Sequence, residues 1–318
     1  MGLGARGPLP GGSRRGRDHG RGHPAPPRLW HQGQEGVDRV SEHTRAKVSV
    51  EQVLEVLQLE QAGETTFTGN SVGSEGPVIF AGQLIGQFIA AAAAVCPGKH
   101  VTSAHSTFAR AGKLETPVEF VVDTLHEGRS LASVSVTAQQ GERRLARSLL
   151  LLGNDEPDLA QHCSDAPSVP GPDELESLHP LQGWEQRKIG DADIMSVDHV
   201  GPAEQVFWSR FDAEGASTEV PQALVNWASV AAFLGASVLP HEGLGLSRAH
   251  RDISTGVLSH TVFFHRPFDP SEWALYNVQS TFTGAGRAFG RAEVFGGGQL
   301  IASITQESML RPLTGGVL

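Results

Sequence analysis

A duplication constrains the fold of this 318-residue chain more than any other feature of its sequence. Segment 259–311 repeats the motif order of an earlier segment, and Phe264 corresponds to Phe108 as Gly286 corresponds to Gly128. The two offsets are 156 (264 − 108) and 158 (286 − 128), so the landmarks keep their spacing. A repeat of this length is a duplicated domain and not a short solenoid unit. The sequence therefore predicts two copies of one module.

Each copy combines one helix with several strands. In the first copy an alanine-rich helix pattern from Leu84 to Val95 stops at Pro97-Gly98, and in the second a helix pattern lies between Pro221 and Pro240. Four strand patterns follow the first helix, at 101–110, 118–125, 130–139 and 144–152. The last of these, LARSLLLL, lacks polar alternation, which predicts a central strand covered on both faces. We expect an α+β fold in which an antiparallel sheet curls around one long helix in each module.

Changes in composition predict the boundaries of the modules. Residues 1–47 are rich in Gly, Pro and Arg, which is typical of a disordered basic tail. Residues 48–152 form the first predicted module and 191–313 the second. Between them, 153–190 contains five prolines and many acidic residues, which predicts a linker without long regular elements.

Charge and cysteine content exclude several classes of protein. The net charge is −10, and outside 1–47 there are 16 Lys and Arg against 31 Asp and Glu. So acidic a body is a poor candidate for nucleic-acid binding. No apolar run approaches the roughly 18 residues of a membrane helix, and the chain starts without the apolar segment of a secretory signal. Two cysteines, Cys96 and Cys163, are too few for a disulfide framework, which favours a cytoplasmic location.

Several motifs in order along residues 50–312 carry a resemblance to a known family. They include FTGNS, IFAGQLIGQ, HSTFARAG, WASVAAFLG, SHTVFFHRPFDPSEWALY, GRAFGRAEVF and LIASITQESMLR. With these motifs the chain resembles the type II acyl-CoA thioesterases, the TesB kind. The resemblance implies a double hotdog fold and hydrolysis of fatty acyl-CoA to a fatty acid and CoA. It implies no cofactor and no metal, and no Cys/His cluster has metal-ligand spacing.

In that family an Asp on the second helix, a Ser or Thr entering the HRPF strand, and a Gln in the closing strand together hold the attacking water. The Gln is present as Gln306. The position of the Asp, directly after WAS, holds Val230. Strict counting from the FFHRP motif puts Val257 at the hydroxyl position, whereas a two-residue insertion would supply Thr255, and Ser259 is a third option. These three alternatives stay open at the level of sequence.

Because Val230 stands in place of the Asp, two alternatives follow: another residue binds the water, or the protein binds acyl-CoA without hydrolysing it. Asn226 lies one helical turn before Val230 and is a candidate to bind the water. The catalytic prediction is thus Gln306, Thr255 and Asn226, and the alternative function is a non-hydrolytic acyl-CoA-binding protein. Further residues are predicted to line substrate sites: Gln83, Gln87, Val230, Ser259 and His260. Strand edges of hotdog sheets commonly pair, so we also expect a homo-oligomer.

Overall fold

The computed structural model describes residues 48–73 and 78–313. The predicted tail, 1–47, lies outside the described residues. Within these residues there are three α-helices, α1 (Val50–Leu57), α2 (Ala81–Val95) and α3 (Glu219–Val238), and two 3₁₀ turns at Pro172–Glu174 and Leu246–Arg248. None of the helices in the described part of the chain is both long and apolar enough to cross a membrane.

Thirteen strands complete the secondary structure of the part of the chain that is described. Six precede residue 160: β1 (Glu60–Gln61), β2 (Thr66–Gly69), β3 (His100–Phe108), β4 (Val118–Glu127), β5 (Leu131–Gln140) and β6 (Arg143–Gly153). Seven follow it: β7 (Ser177–Leu181), β8 (Trp184–Ile189), β9 (Glu204–Phe211), β10 (Ile253–Phe264), β11 (Ala274–Gly284), β12 (Arg287–Gly296) and β13 (Gln299–Pro312).

The strands form one antiparallel sheet whose order shows the duplication. The first module contributes β1-β2-β4-β5-β6-β3 and the second contributes β10-β13-β12-β11-β9-β8-β7. β3 and β10 pair edge to edge, with His260 opposite Ser106, so the two module sheets are continuous. α2 packs against the strands of the first module and α3 against those of the second. The predicted α+β double hotdog is confirmed.

The two long helices pack closely against each other because glycines line their contact. A Cβ atom added at Gly86 would lie 2.8 Å from the Ala223 Cβ and 2.8 Å from a Leu57 methyl carbon, and one added at Gly82 would lie 3.1 Å from the Trp227 Cα. Separations under 3 Å between such carbons would force the neighbours to move. Glycine at these two positions therefore sets how closely the helix of one module approaches that of the other.

The prediction that β6 is covered on both faces is wrong. Its residues alternate between buried and exposed, and Leu149 and Leu151 remain about half exposed, at 51% and 49%. Leu150 and Leu152 on the opposite face are buried, and this strand contacts α2. The leucine run therefore belongs to an antiparallel strand with one exposed face. Because this exposed face also carries leucines, the sequence has the continuous apolar pattern of a strand that is buried on both faces.

The segment predicted to be a linker contains two short strands. β7 and β8 pair with each other, and β8 pairs with β9, so this hairpin extends the sheet of the second module. β7 is the last strand of the sheet and carries Pro180, which has no N–H to donate to a neighbour. The proline content of the segment thus fits an edge hairpin as well as a connection.

Candidate active site

Three buried polar side chains meet between α3 and the sheet of the second module. His260 lies on β10 directly opposite Gln306 on β13, and Asn226 on α3 faces His260. The His260 Nδ1 lies 2.9 Å from the Gln306 Oε1, and the His260 Nε2 lies 2.9 Å from the Asn226 Oδ1. Exposed fractions of at most 1% for all three residues keep this cluster away from bulk solvent.

The Gln306 amide has a fixed orientation. Its Nε2 donates to the backbone carbonyl of Val230 over 3.0 Å and to the Ser308 Oγ over 2.9 Å. Reversing the amide would turn its oxygen toward the Val230 carbonyl, where two acceptors would face each other. The Gln306 Oε1 is therefore the acceptor at His260, and the imidazole proton belongs on Nδ1.

The Asn226 amide is held in a way that conflicts with this tautomer. Its Nδ2 donates to the backbone carbonyl of Gln222 over 2.7 Å, which turns its Oδ1 toward the His260 Nε2. A neutral imidazole has a single N–H. With that proton on Nδ1, the Nε2 lone pair and the Asn226 oxygen face each other with no proton between them. Only the doubly protonated imidazolium would donate to both amide oxygens.

Burial nevertheless keeps His260 neutral. Removal of the imidazole from water lowers its pKa to about 4, although the hydrogen bond to Gln306 acts in the opposite direction. The Phe233 ring presents an edge-on contact to the imidazole, with 6.2 Å between the ring centroids, and shields it further. The site therefore holds a neutral imidazole between two amide oxygens, and both oxygens would stabilise this imidazole if it became protonated.

Gln222, one turn before Asn226 on α3, has an acceptor without a partner. Its Nε2 donates to the Val101 carbonyl on β3 over 2.6 Å, so α3 of the second module is tied to the first module. Its Oε1 is buried and has no hydrogen-bond donor among the described residues. An unpaired buried acceptor costs about 1–3 kcal/mol, so this oxygen calls for a physical explanation.

The structure brings three of the predicted site residues together and places a fourth beside them. Gln306, Asn226 and His260 form the cluster, and the main chain of Val230 accepts a bond from Gln306. The Val230 side chain belongs to the hydrophobic core, with 2% exposure. The isopropyl group at the family Asp position therefore packs instead of binding water, while polar groups occupy the space one helical turn earlier.

Thr255 and Ser259 lie apart from this cluster. Thr255 faces the same side of β10 as His260 but pairs with Leu310, four residues from Gln306 on β13, which is about 14 Å along the strand. Ser259 pairs with Glu307 on the opposite face of the sheet. A bulge between Val257 and Ser259 inserts Leu258 and changes the alternation of faces at this point. Val257, which strict counting selects, pairs with Ser308 next to this bulge.

Gln83 and Gln87 hold the first module together. The Gln83 Oε1 accepts from the Val72 backbone N–H over 3.0 Å, and its Nε2 lies 3.2 Å from the Gln87 Oε1. The Gln87 Nε2 donates to the backbone carbonyls of Val56 and Asn70, over 2.8 and 2.9 Å. These bonds tie α1 and the segment after β2 to α2, and neither side chain reaches the Gln306 cluster.

Sequence reasoning missed two residues of the site. Gln222 precedes Asn226 by four residues, and Ser308 follows Gln306 by two residues on the same face of β13. Helical and strand periodicity would have found both once Asn226 and Gln306 were chosen. His260 was singled out, but its contact with both amides depends on tertiary structure.

Two family models match complementary parts of the chain. The model described as acyl-CoA thioesterase matches residues 187–309, and the model described as acyl-CoA thioesterase N-terminal domain matches residues 70–153. Together they span both hotdog modules, which defines the chain as a double hotdog protein of the thioesterase class. The chain belongs to the TesB-like acyl-CoA thioesterase II family.

Relatives of known name agree with this membership. Human acyl-coenzyme A thioesterase 8 is 28% identical over 289 residues, covering 81% of this chain and 88% of the relative. Acyl-CoA thioesterase 2 of Haemophilus influenzae is 25% identical over 280 residues, covering 81% and 96%. The solved structure of the acyl-CoA thioesterase II TesB2 of Mycobacterium marinum has a TM-score of 0.71 at 25% identity, covering 83% and 100%. These relatives favour a hydrolase over the alternative of a protein that only binds acyl-CoA.

Proposed function

We propose that the protein hydrolyses the thioester of acyl-CoA to a carboxylic acid and CoA, with His260 as the general base. The observation that carries this proposal is the buried imidazole of His260, whose Nδ1 and Nε2 lie 2.9 Å from the amide oxygens of Gln306 and Asn226. With the proton on Nδ1 donated to Gln306, Nε2 is the nitrogen that can accept a hydrogen bond from a water molecule. That water takes the place of the Asn226 oxygen at Nε2.

The reaction follows from that placement. The water oxygen attacks the thioester carbonyl carbon while its proton passes to the His260 Nε2. Collapse of the tetrahedral intermediate breaks the carbon–sulfur bond, and the imidazolium returns the proton to the departing CoA thiolate. The products are a carboxylic acid and CoA, and His260 is neutral again.

The amides around His260 favour this proton transfer. Gln306 sets the tautomer by accepting from Nδ1, so that Nε2 is the basic nitrogen. When Nε2 takes the proton, the Gln306 oxygen that accepts from Nδ1 stabilises the imidazolium. Groups fixed in advance around a charge that develops during the reaction lower its barrier.

His260 can take over the task of the carboxylate that Val230 lacks. With a pKa of about 4, the imidazole has nearly the basicity of an ordinary Asp, whose pKa is about 3.9. Both groups are unprotonated at neutral pH. A base of this strength with fixed geometry is typically worth about 10²–10⁴-fold in rate.

Free CoA release from acyl-CoAs of several chain lengths tests the proposal. We expect turnover by the wild-type protein, a loss of about 10²–10⁴-fold in kcat for His260→Gln, and little change for the control His105→Gln. His105 lies on the neighbouring strand but is exposed on the outer face. Unchanged kcat in His260→Gln would exclude His260 as the base, and absence of turnover in the wild type would refute the enzyme function.

A homo-oligomer and a cytoplasmic location form part of the same proposal. Within the chain, β3 of the first module already pairs with β10 of the second, so these strand edges are occupied. We therefore expect a second copy of the chain to bind the outer face of the sheet. Leu149, Leu151 and Phe263 leave 51%, 49% and 44% of their surfaces exposed there. Light scattering after size exclusion tests this, with Leu151→Lys expected to weaken the oligomer.

Free thiols at Cys96 and Cys163 support a reducing compartment.

A further inference from the structure

Two buried serines lie beside His260 on the inner face of the sheet. Ser106 on β3 is directly opposite His260 on β10, and Ser148 on β6 is directly opposite Ser106. Their exposed fractions are 2% and 0%, and their Oγ atoms lie 3.0 Å apart. Because residues directly opposite each other on neighbouring strands share one face, the Ser106 hydroxyl flanks the imidazole on the side of the first module.

These two hydroxyls carry more hydrogens than they use. Two serine hydroxyls have two hydrogens, and the bond between Ser106 and Ser148 uses one of them. Neither hydroxyl makes another hydrogen bond within the described part of the chain. Because a hydroxyl hydrogen rotates about its C–O bond, Ser148 can donate to Ser106 and leave the Ser106 hydrogen for a third group. The pair therefore offers a buried hydrogen-bond donor beside His260.

The proposed reaction requires such a donor. When the water attacks the thioester, negative charge develops on the carbonyl oxygen, and donors fixed around that oxygen lower the barrier. The Gln306 amide already uses both of its hydrogens, because its Nε2 donates to the Val230 carbonyl and to the Ser308 Oγ. His260 gives its own N–H to Gln306. The donor therefore has to come from another residue near the imidazole.

Ser106 is close enough to His260 to be this donor. Residues directly opposite each other on antiparallel strands have Cβ atoms about 4.5–5.5 Å apart, so the Ser106 hydroxyl lies next to the His260 side chain. A water on His260 attacks a carbonyl carbon about 3–3.5 Å away, which brings the carbonyl oxygen close to the side chains that flank the imidazole.

We propose that the Ser106 hydroxyl donates a hydrogen bond to the carbonyl oxygen of the thioester and to the oxyanion that forms from it. Ser106 keeps its proton throughout, and the proton of the attacking water passes to His260. This inference rests on the proposed thioesterase reaction and adds to it a second catalytic residue. Because Ser106 lies on β3 and His260 on β10, the active site needs both copies of the duplicated module.

The simplest competing explanation is that Ser106 and Ser148 only satisfy each other in the core. Two control variants separate these roles. Ser148→Ala leaves the Ser106 hydroxyl without its partner, just as Ser106→Ala leaves that of Ser148, so both variants lose the same hydrogen bond. Ser103→Ala alters the same strand on its outer face, where Ser103 lies opposite Leu151 and Phe263.

The experiment measures kcat and KM for CoA release, together with Tm. We expect Ser106→Ala to lower kcat about 10²–10³-fold with little change in KM, because the hydrogen bond strengthens as the oxyanion forms. Ser148→Ala should lower Tm about as much but reduce kcat by less than about tenfold, since Ser106 keeps its hydroxyl. Ser103→Ala should leave kcat at the wild-type value. Ser106→Thr restores a hydroxyl and should recover part of the rate that Ser106→Ala loses.

Three outcomes would overturn the inference. They are an unchanged kcat in Ser106→Ala, equal kcat losses in Ser106→Ala and Ser148→Ala, and a Ser106→Thr variant of wild-type Tm that is no faster than Ser106→Ala. If Ser106→Ala does not fold, Ser106→Cys replaces it, because a thiol has a similar shape and donates only weakly. A slow Ser106→Cys then supports the donor role, and a wild-type kcat refutes it.

The same measurements separate this inference from the proposed function. Wild-type protein without turnover would refute the thioesterase itself. A slow His260→Gln beside a Ser106→Ala variant of wild-type speed would refute only the role of Ser106.

Discussion

Burial of a neutral His260 predicts a specific dependence of stability on pH. The pKa of this imidazole is about 4 in the folded protein, against 6.5 for an unperturbed histidine. Between these values the unfolded chain binds a proton that the folded chain does not, so stability must rise with pH across this window. The stabilisation is complete above pH 6.5 and is lost as the pH falls toward 4.

The size of the effect follows from the two pKa values. The full shift corresponds to about 3 kcal/mol, of which about 2 kcal/mol is already lost at pH 5. Carboxylates also titrate in this region, so the wild type alone does not isolate the contribution of His260. His260→Gln removes the titrating group and keeps a polar side chain, while His105→Gln removes an exposed histidine.

Urea unfolding at pH 7 and pH 5 provides the measurement. We expect the free energy of unfolding of the wild type to fall by about 2 kcal/mol more than that of His260→Gln, and His105→Gln to behave as the wild type. Equal losses in wild type and His260→Gln would refute the buried neutral imidazole. If lowering the pH to 5 instead stabilised the wild type relative to His260→Gln, His260 would be an imidazolium. Its hydrogen bonds to the two amide oxygens would then outweigh the cost of removing the charged ring from water.

Three further predictions concern other parts of the molecule. Gly86→Ala should destabilise by about 1–3 kcal/mol in urea, because its methyl group would lie 2.8 Å from carbons of the facing helices, whereas Gly63→Ala meets only ordinary contacts. Equal Tm values for these two variants would contradict this packing argument. Glu185 accepts hydrogen bonds from a serine and two arginines that lower its pKa to about 2, against burial, so Glu185→Gln should lower Tm at pH 7 and progressively less below pH 4.5. A Tm difference independent of pH would disprove that ionisation. Val230→Asp should not raise kcat if His260 is the base, and a clear gain would restore the family carboxylate as the missing group.

Periodicity in the sequence predicted most of the secondary structure. The helix patterns before Pro97 and Pro240 became α2 and α3, and the four strand patterns of the first module became β3 to β6. These elements follow from local spacing of apolar residues, which a helix or a strand displays directly. The prediction that β6 is buried on both faces failed at Leu149 and Leu151, because the sequence does not distinguish a leucine on the exposed face of a sheet from one in the core.

The candidate site was only partly accessible to such reasoning. Gln306 and Asn226 were chosen from the family motif and from helical spacing, and the structure places them on opposite sides of one imidazole. The strand register sets His260 opposite Gln306, and a bulge at Leu258 shifts the register of the part of β10 that precedes it. An inserted residue of this kind leaves no mark in apolar periodicity, so the sequence did not show that Thr255 and His260 lie on one face of β10.

The sequence by itself determined the duplication, the helix and strand content and the family, because these follow from the local spacing of apolar residues and from the order of motifs along the chain. Only the tertiary structure decided how the polar groups are used. Gln83 and Gln87 bind backbone groups in α2, whereas in α3 Asn226 faces His260 and the Gln222 oxygen has no donor among the described residues. The difference arises from what the fold brings opposite each helix face, and hydrogen-bond partners far apart in sequence exist only once the sheet has closed around the helices.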